Sequence, residues 1–209
     1  MTDLASLVTA FTTLFIIIDP PGLVPLFIAL TQGMSPAQRR AIGIRACLVA
    51  GVLMLVFLFL GEAVLGFVGI SMPAFRIAGG VLLFLTALDM LFERRQKRRG
   101  DTAEDELADP EHDPSVFPLA LPLIVGPGLI TTIILLAGEA EGPAGLVALA
   151  IMLALNLGIV FLAFMASPYI AQALGRVGIN VITRVLGMLL AALAVQFILD
   201  GLASFGWGG

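Results

Sequence analysis

Six stretches of this chain are apolar over lengths that water does not tolerate. They cover about 4–30, 41–60, 74–92, 116–137, 144–166 and 184–206, and runs of roughly 18 or more apolar residues have the length of a membrane span. A soluble core could not enclose them. With 59 % hydrophobic and 12 % charged residues among 209, much of that surface would be left facing water. The chain therefore reads as an all-α integral membrane protein, since a helix satisfies its backbone groups within its own segment. The first span reads as retained, not as a cleaved signal: Met1 to Ser6 has no Lys or Arg, and the apolar run continues too far. The single Cys47 lies mid-span and leaves no disulfide framework.

One long polar segment interrupts the pattern, Glu93 to Pro114, with a basic half followed by an acidic half. Having almost nothing to bury, it reads as a solvated linker. It divides one transmembrane domain, 1–209, into a first repeat (1–92), the linker (93–114) and a second repeat (115–209). Positive charge sets the orientation. Arg39, Arg40 and Arg45 lie between spans one and two, five Lys/Arg follow span three, and Arg176 lies between spans five and six, with Arg184 entering span six. Loop two to three has Arg76 alone, and loop four to five has only Glu139 and Glu141. Both termini should face outside and the linker the cytoplasm. The net charge of −4 is dominated by that linker and gives no reason to expect a nucleic-acid partner.

The two halves resemble each other. Placing Phe11–Leu30 over Phe117–Leu136 without gaps gives seven identities in twenty, with Pro-Gly-Leu shared at 21–23 and 127–129. "LGFVGI" at 65–70 matches "LGRVGI" at 174–179, and "RIAGGVLL" at 76–83 follows "RVLGMLLA" at 184–191, aligning Arg76 with Arg184 and Gly79 with Gly187. A repeat of three spans must insert its second copy upside down. The fold expected is thus six transmembrane helices as two inverted three-span repeats, with broken helices in spans one and four.

The breaks are "IIDPPGLVPLF" at 17–27 and "IVGPGLITT" at 124–132. Proline removes an N–H and clashes with the carbonyl four residues back, so each motif frees backbone groups. In hydrocarbon such groups survive only against protein or a water-filled cavity, and paired interruptions in repeat-related positions point to a transporter's binding site. The candidate site residues are Asp19, Pro20, Pro21, Gly22, Gly126, Pro127, Gly128, Thr131, Thr132 and Asn156. A half-helix opening at Pro127 and Gly128 would present free N–H groups and a positive dipole end to a carboxylate, with the Thr131 and Thr132 hydroxyls one turn on. Unpaired carbonyls, or Asp19, would accept from an ammonium group. A small zwitterion suits that combination.

Each of these residues also has a plainer reading. Asp19 is an intramembrane acid, yet it could simply cap a helix starting at Pro20. Glu62, Asp89 and Asp200 lie near span ends and read as interfacial charges. Asn156 and Gln196 read as amides that bond helix to helix, with Asn156 the better candidate for substrate. Gly43, Cys47 and Gly51, like Gly187 and Ala191, read as close-packing stripes. His112, in the acidic linker, reads as solvated, and neither metal nor cofactor is expected.

"DPPGLVPLF" (19–27), "FRIAGGVLLFLTALDML" (75–91) and "PLALPLIVGPGLITT" (118–132) resemble the MarC family of bacterial membrane proteins, which includes SnatA-type small neutral amino-acid transporters. The resemblance spans essentially the whole chain. It implies six spans, kinship with LysE-type exporters, a place in the bacterial cytoplasmic (inner) membrane, and transport of glycine or alanine. The family's motif positions fall on Asp19, Pro20, Gly22, Pro25 and Phe27, on Gly79 and Gly80, and on Gly126, Pro127 and Gly128.

The expected function is secondary transport of small neutral amino acids by alternating access, with the substrate near the midplane and with proton coupling, sodium coupling and facilitated exchange all left open. A drug or metabolite exporter would need an aromatic cavity that one Trp and one Tyr scarcely provide. A channel lacks a filter-like ring. A partner-docking role through the linker would leave the paired breaks unexplained. An enzyme is not expected, since HExxH, GxSxG and a Cys–His pair are missing from the sequence. GxxxxGK[ST] is missing as well, so direct ATP drive is not expected. Small-residue stripes would serve an oligomer as readily as a bundle.

Overall fold

The computed structural model describes residues 3–94 and 113–205, so most of the linker, with His112, lies outside the described residues. Among the described residues every regular element is helical: α1 (Leu4–Ile18), α2 (Pro20–Leu30), α3 (Pro36–Val68), α4 (Met72–Leu91), α5 (Ser115–Ile124), α6 (Pro127–Gly138), α7 (Gly142–Met165) and α8 (Ser167–Ala203). Taking α1 and α2 as one 27-residue run, five helical stretches are long and apolar enough to cross a membrane. There are six if α5 and α6, which meet at 61°, form one bent span.

Local chemistry explains most boundaries. Ser35 and Gln38 form a reciprocal capping box ahead of Pro36, satisfying two backbone donors that the first turn leaves without partners. Ser71 accepts from Ala74 N–H in the same way at the start of α4. α5 is wound wider than an α-helix: Leu119 N–H donates to Pro114 O and Val125 N–H to Ala120 O, each five residues back. Phe117 and Leu121 are extended there, and each precedes a proline whose ring disfavours the helical conformation in the residue before it.

Two expected boundaries move. The span placed at 41–60 lies within a 33-residue helix, and the last, placed at 184–206, extends back to Arg176, where non-helical Gly175 separates it from the helical segment that begins at Ser167. The physical reason lies in the matched glycine pair. The first half turns at Gly69 (φ 81), the second member of "LGFVGI", whereas the second half turns at Gly175 (φ 60), the first member of "LGRVGI". Both conformations favour glycine because it has no Cβ.

α6 and much of the α1–α2 run are enclosed, and Ile16, Ile17, Ile18, Leu23, Val24, Ile133 and Leu135 are all buried. Around them α3, α4, α7 and α8 expose rows of large apolar side chains, including Leu48, Val52 and Phe59, Val147 and Ile151, and Val181 and Val185. An apolar exterior of this extent belongs in hydrocarbon.

The halves interlock by exchange. α2 packs on α8 while α6 packs on α4; α3 packs on α5 and α6 while α7 packs on α1 and α2. The longest interface joins α4 to α8, where Gly80 lies against Ala194 and Ile198, Gly187 against Ala87 and Met90, and Gly201 against Pro73 and Ile77. The stripe of Gly43, Cys47 and Gly51 faces Phe161, Met165 and Leu157 of α7. Phe27 stacks on Phe164 at 4.3 Å, fixing α2 to α7. Gln196 does not reach another helix as expected; its amide donates to Asp200 one turn on, at 2.7 Å.

Candidate functional site

Asp19 separates α1 from α2 in a left-handed conformation (φ 57, ψ 62), which carboxylate and amide side chains tolerate better than most. Its N–H still donates to Phe15 O, closing α1, while its C=O accepts from Leu23 N–H, opening α2. The buried side chain bends over the first turn of α2, where Oδ1 accepts from Gly22 N–H at 3.2 Å. The carboxylate lies so close over Gly22 that a Cβ there would stand 2.1 Å from Oδ2. Thr183 of α8 donates to the same group, its Oγ1 lying 3.3 Å from Oδ1 and 3.4 Å from Oδ2. Pro20 and Pro21 occupy the first helical positions, where a missing N–H is no loss. Asp19 is thus an N-cap of α2.

The second break is built differently. Gly126 is the N-cap of α6 and Pro127 its first residue, and no side chain caps the helix. In the gapless alignment of the halves, Val125 stands where Asp19 does and Gly128 where Gly22 does. The first-turn N–H groups of α6 therefore have neither an intrahelical acceptor nor a carboxylate of their own. Gly128 faces Leu83 and Thr86 of α4, and a Cβ on it would also come within 4.0 Å of Ile17, two residues before Asp19. The start of α6 thus lies near the end of α1.

Beside this uncapped end is a cavity of about 370 Å³, lined by Leu82, Leu85, Thr86, Leu88, Asp89, Arg94, Pro127 and Gly128. Thr86 donates to Leu82 O at 2.9 Å, leaving oxygen lone pairs to accept. Arg94 extends over the Phe92 ring at 5.7 Å, past the end of α4.

Pro127 and Gly128 line this cavity, while Gly126 precedes them. Asp19, Pro20, Pro21 and Gly22 form the neighbouring cap. Thr131 and Thr132 are buried in α6, but their hydroxyls donate backward, to Pro127 O at 3.0 Å and Gly128 O at 2.9 Å. Asn156 does not line this cavity. It ties α7 to α1, donating to Phe11 O at 3.4 Å and to Met152 O at 2.9 Å, and its buried Oδ1 has no partner. The structure adds three polar residues to this region that sequence reasoning left out or set aside. Thr183 fell just before the expected start of span six. Thr86 is one hydroxyl in an apolar helix, and Asp89 read as an interfacial charge; only the fold brings Thr86 and Asp89 into one cavity with Pro127. Among the described residues no group of three or more His, Cys, Asp or Glu is placed to hold a metal ion.

Comparison with known proteins decides the family. The model of the MarC family integral membrane proteins matches residues 4–205. The chain belongs to the MarC family. Relatives include a UPF0056 membrane protein of Archaeoglobus fulgidus, 40 % identical over 93 % of this chain and 91 % of its own length. Another, from Aquifex aeolicus, is 39 % identical over 93 % and 91 %. The UPF0056 inner membrane protein YhgN of Escherichia coli K12 is 34 % identical over 94 % of this chain and 95 % of its own. No solved structure matches. Family and fold agree on a multi-helical integral membrane protein.

Proposed function

We propose that this MarC protein is a secondary transporter of small neutral amino acids, of the glycine and alanine class, working by alternating access in the bacterial inner membrane. The observation that carries the proposal is the contrast between the two helix starts. At α2 a carboxylate, that of Asp19, sits over Gly22 and receives its N–H. At α6 the equivalent Gly128 has no such group and borders a cavity. The carboxylate of a free ligand suits the second start as that of Asp19 suits the first, because a helix N-terminus offers unpaired donors and a positive end.

The exchanged packing of α2 on α8 and α6 on α4 supports two inverted repeats, with spans one and four interrupted at the two starts. The concentration of Arg and Lys supports external termini and a cytoplasmic linker, which turns the cavity end of α4, at Arg94, toward the cytoplasm. The inner-membrane name of the YhgN relative supports the location. The partners are then a small zwitterion and the lipid bilayer, with a proton or sodium ion as the candidates for coupling and a second copy of the chain as a further possible neighbour.

Uptake of labelled alanine and glycine into proteoliposomes, with and without a proton gradient, tests this directly. Saturable uptake that each amino acid competes for is expected. Its absence from folded protein would overturn the substrate assignment.

A further inference from the structure

The cavity wall opposite α6 carries a feature that an uncapped helix start does not supply. Leu82, Leu85, Thr86 and Asp89 project from one face of α4 at spacings of three and four residues, as neighbours on a helix surface do. Thr86 is the member nearest the helix start: its Oγ1 lies 3.5 Å from where a Cβ on Gly128 would stand. Asp89 is one turn further along, about 4.5 Å by helical rise. Next to the donors of α6, the cavity therefore has a hydroxyl oxygen that accepts and then a carboxylate. A carboxylate offers about four acceptor sites, so partners within the protein leave it able to accept from a ligand as well. Arg94 provides the opposite charge beyond the helix end.

We infer that Asp89 is a specificity-determining residue of the site, receiving the ammonium group of a zwitterion whose carboxylate rests on the first turn of α6. The inference rests on the transport reading given above and adds to it a residue and a selection rule. Because Thr86 lies beside Gly128 and Asp89 is one helical turn further along the same cavity wall, the two charged groups of the ligand must lie close to each other. An α-amino acid meets that condition, and an ω-amino acid with three methylenes between its charges does not. A carboxylic acid of the same shape without the amine forgoes the contact with Asp89, and the charge-assisted bond lost there corresponds to about tenfold or more in affinity.

The test is displacement of labelled alanine from purified full-length protein by unlabelled alanine, propionate and 4-aminobutyrate. The variants are Asp89→Asn and Asp89→Glu, each checked for an unchanged melting profile in detergent. Wild-type protein should prefer alanine over both competitors by about tenfold or more. Asp89→Asn should bring alanine down to the level of propionate, and Asp89→Glu should restore much of the preference. An Asp89→Asn variant that binds alanine and keeps the full preference would overturn the role of Asp89 while leaving the transport reading intact. Wild-type protein that binds alanine no better than propionate would overturn the selection rule. No saturable alanine binding by folded wild-type protein would overturn both the inference and the reading beneath it.

Discussion

Thr183 and Asp19 are 164 residues apart in sequence, yet the Thr183 hydroxyl lies 3.3 Å and 3.4 Å from the two oxygens of the Asp19 carboxylate. The bond joins the first span to the last inside the protein, where both side chains are buried. A typical intramolecular hydrogen bond contributes about 0.5–1.5 kcal/mol. Thr183→Val should therefore lower the melting temperature in detergent, and Thr183→Ser should keep most of the stability. Equal melting of the Val variant and wild type would mean that the contact adds nothing.

The two aligned glycines should respond differently. At Gly22 a Cβ would fall 2.1 Å from Asp19 Oδ2, so Gly22→Ala must displace the cap, at a cost of about 1–3 kcal/mol. At Gly128 the nearest atoms are Leu83 Cδ2 at 3.3 Å and Thr86 Oγ1 at 3.5 Å. Gly128→Ala should fold, and Gly128→Leu should fold less stably and lose transport, because its side chain would fill the approach to the α6 donors. Chemical denaturation of the alanine pair checks the stability half, and uptake by the leucine variant checks the other.

The α4–α8 interface gives a second contrast. A Cβ on Gly80 would lie 2.6 Å from Ile198 Cγ1 and 2.8 Å from Ala194 O, and a backbone oxygen cannot rotate away. Gly158 has nothing within 4 Å of its Cβ position. Gly80→Ala should destabilise by about 1–3 kcal/mol, whereas Gly158→Ala should be neutral or slightly stabilising, since alanine is the better helix former. Side-by-side melting of the two variants decides it.

Acid should loosen one surface tie. Asp113 pairs with Arg45 of α3 and accepts from Ser115 N–H at 3.0 Å. Partial burial works against its charge, but the Ser115 bonds and the Arg45 guanidinium outweigh this and hold the carboxyl below its ordinary 3.8. A depressed folded-state pKa means that the stabilisation is complete above the unfolded value and is lost as pH falls through the folded one. The effect belongs below about pH 4 and should vanish in Asp113→Asn. Melting of both proteins from pH 6 to pH 3 measures it, and parallel curves would remove the pair from the account.

Much of this architecture can be read from the chain, because apolar length and proline placement act locally. Pro20, Pro21 and Pro127 mark helix starts through their own ring geometry. What could not be read depends on which surfaces meet. Whether Asp19 caps its own helix or faces a ligand turns on its φ of 57° and on Thr183 arriving from α8. Asp89 belongs to the cavity only because α4 runs past the start of α6. Gln196 and Asn156 look alike in sequence, yet one bonds within its helix and the other bridges to α1.

Ligand protection of the cavity tests the central claim most directly. In a Cys47→Ala background, Leu85→Cys places a thiol on the cavity wall and Phe67→Cys places one at the exposed end of α3. Alanine at saturating concentration should slow maleimide labelling at position 85 and leave position 67 unaffected. Unchanged labelling at 85, in protein that still takes up alanine, would contradict the account and move the substrate away from the start of α6.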